Sequence, residues 1–190
     1  MKKLILGILV LTMITACKKE SNVTENSDQT QNDSIVTPES NEVSAAVIPF
    51  KEIELTPEQT SKILGKQDND TLYVTNFFAT WCGPCMREMP HFKEKIQETK
   101  SQPVKFTFVS LDEKDVWGTK VKAFAEENSL SKHIVLVDAM KLNPEFFHQN
   151  FKQWDGGSIP FTFMRKGDKT DETVGMMSAE MLDSKIKSFQ

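Results

Sequence analysis

Cys82 and Cys85 stand two residues apart in the segment Trp81-Cys82-Gly83-Pro84-Cys85. A thiol pair at that spacing can close one reversible disulfide, and a thiolate is the species that attacks the disulfide of another protein. Alone, the spacing is equally that of a structural disulfide or of half a metal site. The flanking residues narrow the choice. Thr71 to Ala79 is almost continuously apolar or β-branched, as in a central strand buried on both faces. From Cys82 to about Thr99, Met86, Met89, Phe92 and Ile96 recur at helical spacing, and Pro90 interrupts them where an interior proline kinks a helix. Strand, tryptophan, cysteine pair and interrupted helix occurring together favour a redox centre.

A strand that ends at the pair and feeds a helix puts Cys82 at the helix N-terminus, where free N–H groups and the positive end of the dipole stabilise an anion. Cys82 is therefore the expected attacking thiol. Cys85 falls one turn further in, within reach of Cys82 and shielded from a partner, and is the expected resolving thiol. Pro84 stiffens the first turn and donates no N–H.

The remaining elements must hold this junction. Phe50 to Leu55 alternates apolar with charged residues like a half-buried edge strand, and Thr56-Pro57-Glu58-Gln59 opens a short helix to about Leu64. Val104–Leu111 predicts a second strand, Asp115–Asn128 a second helix with Val121, Phe124 and Ala125 inward, and Ile134–Val137 a third strand. Asn143-Pro144-Glu145 opens a short helix, Asp155-Gly156-Gly157-Ser158 breaks the chain, and Ile159–Arg165, a turn at Lys166-Gly167-Asp168, Glu172–Val174 and a helix over Ser178–Phe189 complete it. Strands alternating with helices predict an α/β fold, a sheet with a parallel core flanked by helices. Gly156 and Gly157 serve as hinge and turn, or let a backbone approach closely. Trp117 and Trp154 read as core or cover.

The chain starts with Met1-Lys2-Lys3, an apolar run from Leu4 to Ile14, and Ile14-Thr15-Ala16-Cys17. This is the pattern of a secretion signal over residues 1–16, too short for the roughly 20 residues of a membrane-spanning helix. The segment from Cys17 to about Ile48 is polar, with two lysines against six acids among residues 18–48. It reads as a flexible tether. Residues 49–190 carry 19 basic and 21 acidic residues, without the basic excess of a nucleic-acid binder, and suit one globular domain. His91, His133 and His148 show no spacing that would complete a zinc site with the cysteines. Nor do Met176 and Met177, without clustered histidines, make a copper site. No metal and no other cofactor is expected.

Asn76-Phe77-Phe78-Ala79-Thr80-Trp81-Cys82-Gly83-Pro84-Cys85-Met86-Arg87-Glu88-Met89-Pro90 resembles the active-site segment of the TlpA/ResA branch of thioredoxin-like proteins. The likeness extends over about residues 50–190 and implies the thioredoxin fold with an N-terminal strand and helix added. It also implies thiol-disulfide oxidoreductase activity. Thioredoxin buries an aspartate beneath its cysteines, whereas Asn76 stands at the matching strand position here. Proteins of the ResA kind carry an acid three residues past the second cysteine. Glu88 occupies that position, so the resemblance implies a proton shuttle for Cys85; a solvated surface glutamate is the other reading. Ser158-Ile159-Pro160-Phe161-Thr162-Phe163 resembles the family's cis-proline loop, which implies a cis bond before Pro160 and an extended client segment held by the backbone of Ile159, strand fashion. Trp81, Gly83 and Pro84 complete the implied client-facing rim; a packed tryptophan is the other reading of Trp81.

Ile14-Thr15-Ala16-Cys17 also resembles a bacterial lipobox. Cys17 would then carry lipid and anchor the protein to a membrane outside the cytoplasm, on the periplasmic side, leaving Cys82 and Cys85 as the only thiols. The Gly-Pro dipeptide resembles that of reducing thioredoxins, and a reductant in an oxidising compartment needs electrons delivered through the membrane. The family precedent is a membrane donor of the DsbD/CcdA kind, with cytochrome c apoprotein thiols among family-typical clients. Two other functions compete. A peroxidase of the peroxiredoxin type shares the fold, but Thr80 lies only two residues before Cys82, so the Thr-x-x-Cys setting is missing. A tethered module with a static disulfide that merely holds client segments is the non-enzymatic reading.

Overall fold

The computed structural model describes residues 48–190. The signal pattern of residues 1–16, Cys17 with its lipobox and nearly all of the expected tether lie outside the described residues. Five strands, β1 (Leu72–Phe78), β2 (Val104–Ser110), β3 (Ile134–Leu136), β4 (Phe161–Lys166) and β5 (Lys169–Val174), form one sheet in the order β3-β2-β1-β4-β5. β1, β2 and β3 run parallel, while β4 and β5 are antiparallel additions. The expected mixed sheet with a parallel core is present. No helix among the described residues is long and apolar enough to cross a membrane.

Helices α1 (Pro57–Leu64) and α4 (Pro144–Asn150) cover one face of the sheet, and α2 (Gly83–Glu98), α3 (Lys122–Glu127) and α5 (Ala179–Lys187) the other. Successive side chains of a strand point to opposite faces, which explains the doublet Phe77-Phe78. Phe77 joins Leu64, Phe146, Phe161 and Trp154 on the first face, and Phe78 joins Phe92, Phe108 and Leu182 on the second. Both rings are fully buried, and removing one would cost ~3–5 kcal/mol. The sheet centre is thus packed from both sides directly behind the cysteines. Trp117 and Trp154 are core residues, 5% and 3% exposed.

Four expected elements differ. Phe50–Leu55 is no strand: it meets the sheet through one bridge, Glu54 to Leu136, with Leu55 N–H donating to Leu136 (2.8 Å) and Leu136 N–H to Ile53 (2.9 Å). Its neighbour β3 has only three residues, too few for a longer ladder. The predicted helix over Asp115–Asn128 opens with a tight turn, Lys114–Val116, followed by a wide π-helical turn, Trp117–Val121, before α3. The indole N–H of Trp117 donates to the Asp112 carbonyl (2.8 Å), tying Trp117 to the end of β2, and the wide turn keeps both Trp117 and Val121 in the core. β5 is also longer than expected, beginning at Lys169 across the turn from Lys166. β4 starts two residues late because Pro160 has no N–H for a ladder.

Candidate active site

The cysteine junction is assembled by the ends of β1 and β2. After β1, Thr80 is held by Asp112, whose carboxylate accepts from the Thr80 N–H (2.9 Å) and hydroxyl (2.6 Å), and from Ser110 Oγ (2.9 Å). Asp112 is 1% exposed, so this clamp is shielded from water. The chain then turns, with Cys82 N–H donating to Ala79 (3.1 Å), and Cys82 becomes the N-cap of α2. Its sulfur accepts from the Cys85 N–H at 3.2 Å, satisfying one of the orphan donors of the helix start. Pro84 falls inside the first turn, where its missing N–H costs nothing. Cys82 and Cys85 are joined as a disulfide, with Cα atoms 5.3 Å apart. Cys85 is wholly buried and Cys82 nearly so.

Opposite the disulfide, the Ile159–Pro160 peptide bond is cis. The Ile159 carbonyl oxygen lies 3.7 Å from Cys82 Sγ. Between this loop and the start of α2 runs a groove of about 490 Å³, lined by Trp81, Cys82, Gly83, Pro84, Gly157 and Ile159 among others. Trp81 is 71% exposed at its edge. Pro160 is buried beneath the groove, and its carbonyl accepts from the Gly175 N–H (2.8 Å). The indole N–H of Trp154 fixes the preceding turn through Ser158 O (2.8 Å). Gly156 has φ +85°, and a Cβ there would fall 2.3 Å from the Phe147 ring. Its role is close packing as well as turning.

Glu88 is fully buried, not on the surface. One carboxylate oxygen accepts from Asn76 Nδ2 (2.8 Å) and the other from the Met177 backbone N–H (2.8 Å). Burial pushes its pKa up to about 7, against the two hydrogen bonds, which favour the charged form. Asn76 Nδ2 also donates to Thr162 Oγ1 (3.0 Å), its register neighbour on β4. The structure therefore brings Asn76, Glu88, Cys85 and the cis-proline loop into one locale. Asp112, Thr80, Thr162 and the Met177 N–H belong to it too and escaped sequence reasoning. Asp112 carried a faint signal, an acid just past an apolar strand; a backbone N–H carries none.

A family model described as Redoxin matches residues 42–154, more than half of the chain. The chain belongs to the redoxin family. Its relatives within that family are of the TlpA/ResA type. The thiol-disulfide oxidoreductase ResA of Geobacillus kaustophilus (strain HTA426) is 30% identical over 117 residues, covering 60% of this chain and 61% of that protein. The thioredoxin-like protein YneN of Bacillus subtilis (strain 168) is 30% identical over 115 residues, 60% and 62% of the two chains. This redoxin thus spans about three fifths of the length of the curated relatives it matches. Among solved structures, a thiol:disulfide interchange protein of the thioredoxin family from Chlorobium tepidum TLS covers 76% of this chain and 98% of its own, at TM-score 0.53 and 21% identity. That likeness establishes the thioredoxin fold.

Proposed function

We propose that this redoxin is a thiol-disulfide oxidoreductase that reduces disulfides in client proteins. The observation that carries the proposal is the asymmetric placement of the pair: Cys82 faces the groove beside the Ile159 carbonyl, while Cys85 lies wholly buried behind it. In the dithiol form, Cys82 attacks as a thiolate held by the N–H groups of α2. The new S–S bond joins Cys82 to the client, and the client's other sulfur leaves as a thiolate and takes a proton. Cys85 then gives its proton to the Glu88 carboxylate and attacks Cys82 Sγ, releasing the second client sulfur. Two electrons pass from the enzyme dithiol to the client disulfide, and the enzyme is left in the oxidised form seen here.

The extended client segment lies in the groove, pairing with the backbone of Ile159 and covered by Trp81, with Gly83 and Pro84 as its floor and Pro160 shaping the loop from below. A lipid on Cys17 anchors the domain outside the cytoplasm. A membrane protein of the DsbD/CcdA kind returns the electrons, and exported proteins, cytochrome c apoprotein thiols among them, are the clients. The ResA-type relatives and the Gly-Pro dipeptide between the cysteines support this setting.

Insulin reduction by dithiothreitol tests the chemistry. The wild-type chain should accelerate it and Cys82→Ser should not; no acceleration by the wild type sinks the oxidoreductase reading.

A further inference from the structure

Asn76 stands where its amide touches both the buried carboxyl and a hydroxyl, yet half of that amide is unused. Nδ2 makes two hydrogen bonds, to Glu88 Oε1 and Thr162 Oγ1. Oδ1 is buried and has no hydrogen-bond partner among the described residues. A buried polar atom without a partner costs ~1–3 kcal/mol, and in this orientation the unpaired end is the acceptor.

Every hydrogen bond to Glu88 is a donation to it, from Asn76 and from Met177. That arrangement suits the carboxylate only. Once Glu88 holds a proton, its O–H requires an acceptor, and neither the Met177 N–H nor Asn76 Nδ2 is one. No charged side chain from β1, β4, α2 or the segment leading into α5 bears on Glu88. Cys85, three residues earlier on the same helix, is the titratable neighbour once reduced.

We propose that Asn76 is a two-position relay whose amide turns over when Glu88 gains a proton. Turning by about 180° about the Cβ–Cγ axis puts Oδ1 where Nδ2 now lies, 2.8 Å from Glu88 Oε1 and 3.0 Å from Thr162 Oγ1. No heavy atom outside the amide has to move, and Nδ2 takes the unpartnered place that Oδ1 leaves, so one end of the amide is unpaired in either position and the proton on Glu88 decides which. Oδ1 then accepts from the Glu88 O–H and from the Thr162 hydroxyl, which changes from acceptor to donor by rotating its proton. A carboxamide serves both proton states of its neighbour; an ionised aspartate at position 76 could donate to neither oxygen. The inference rests on the role given to Glu88 above and makes Asn76 and Thr162 its positioning residues.

Side-chain NMR of the isotope-labelled full chain in its disulfide form tests this. The Glu88 carboxyl carbon reports protonation between pH 5 and 9, and the cross-peaks of Asn76 Nδ2H2 to the Thr162 Hβ and methyl protons report which way the amide faces. The relay predicts strong cross-peaks at pH 9 that are lost at pH 5 with the Glu88 midpoint. In Glu88→Gln they should no longer respond to pH. If Glu88 titrates while the wild-type cross-peaks persist at both pH values, the amide is fixed and the relay is wrong, although Glu88 can still accept the Cys85 proton. If Glu88 does not titrate in this range, the relay and the proton-shuttle role fall together.

Discussion

Replacing Glu88 by Gln should flatten the pH dependence of stability. The folded carboxyl is raised to about 7 by burial, from the ordinary 4.5 that applies in the unfolded chain. The folded state therefore binds more protons than the unfolded state between these values, and stability falls as pH rises through that window. For a single site with those two constants, the loss between pH 5 and pH 8 is on the order of 2–3 kcal/mol. The glutamine has no such term. It keeps an acceptor for Asn76 but sets an amide NH₂ against the Met177 N–H, which costs a pH-independent ~1–3 kcal/mol. Urea unfolding of the two disulfide-bonded proteins at several pH values isolates the effect, since all other groups cancel in the difference. The difference curve should fall by roughly 2–3 kcal/mol from pH 5 to pH 8, the wild type gaining relative to the variant at pH 5. Parallel curves would refute the buried, titrating carboxyl. The same variant should slow resolution by Cys85 by ~10²-fold or more, the usual effect of losing a positioned base.

Asp112→Ala leaves the half-buried Thr80 N–H and hydroxyl without their acceptor, so it should destabilise the protein by ~1–2 kcal/mol and slow thiol exchange through a loosened Trp81-Cys82 turn; thermal unfolding and insulin turnover read the two effects. Gly156→Ala should cost ~2 kcal/mol or more in denaturant unfolding, because it adds a ring clash to an unfavourable φ, while Gly175→Ala, at φ +92° with open space around it, should cost only ~1 kcal/mol. Trp81→Ala should raise KM for protein disulfides several-fold with little change in melting temperature, since the indole is mostly exposed at the groove edge.

The junction at the cysteines was legible because its parts are written locally. An apolar run bounded by Ala79, a proline inside the first helical turn and helical spacing over Met86, Met89 and Phe92 each act on near neighbours. Phe50–Leu55 shows the limit of such reasoning. Alternation marks a half-buried segment, but how far it pairs depends on the length of β3, some 80 residues away. The π-helical turn at Trp117 is set by an indole hydrogen bond to Asp112 O that no spacing encodes. Glu88 could be located by its offset from Cys85, yet its burial depends on α2 lying against β1 and on the chain after β5 crossing its end. Thr162 became relevant only through the antiparallel register that sets it beside Asn76.

The order of attack is the centre of the account, and mass spectrometry of trapped adducts tests it most directly. Reduced Cys85→Ser, mixed with a peptide disulfide, should accumulate one mixed disulfide, mapped by proteolysis to Cys82, while reduced Cys82→Ser should form little or none. An adduct carried mainly by Cys85 in the Cys82→Ser protein, with none on Cys82 in its counterpart, would contradict the assignment.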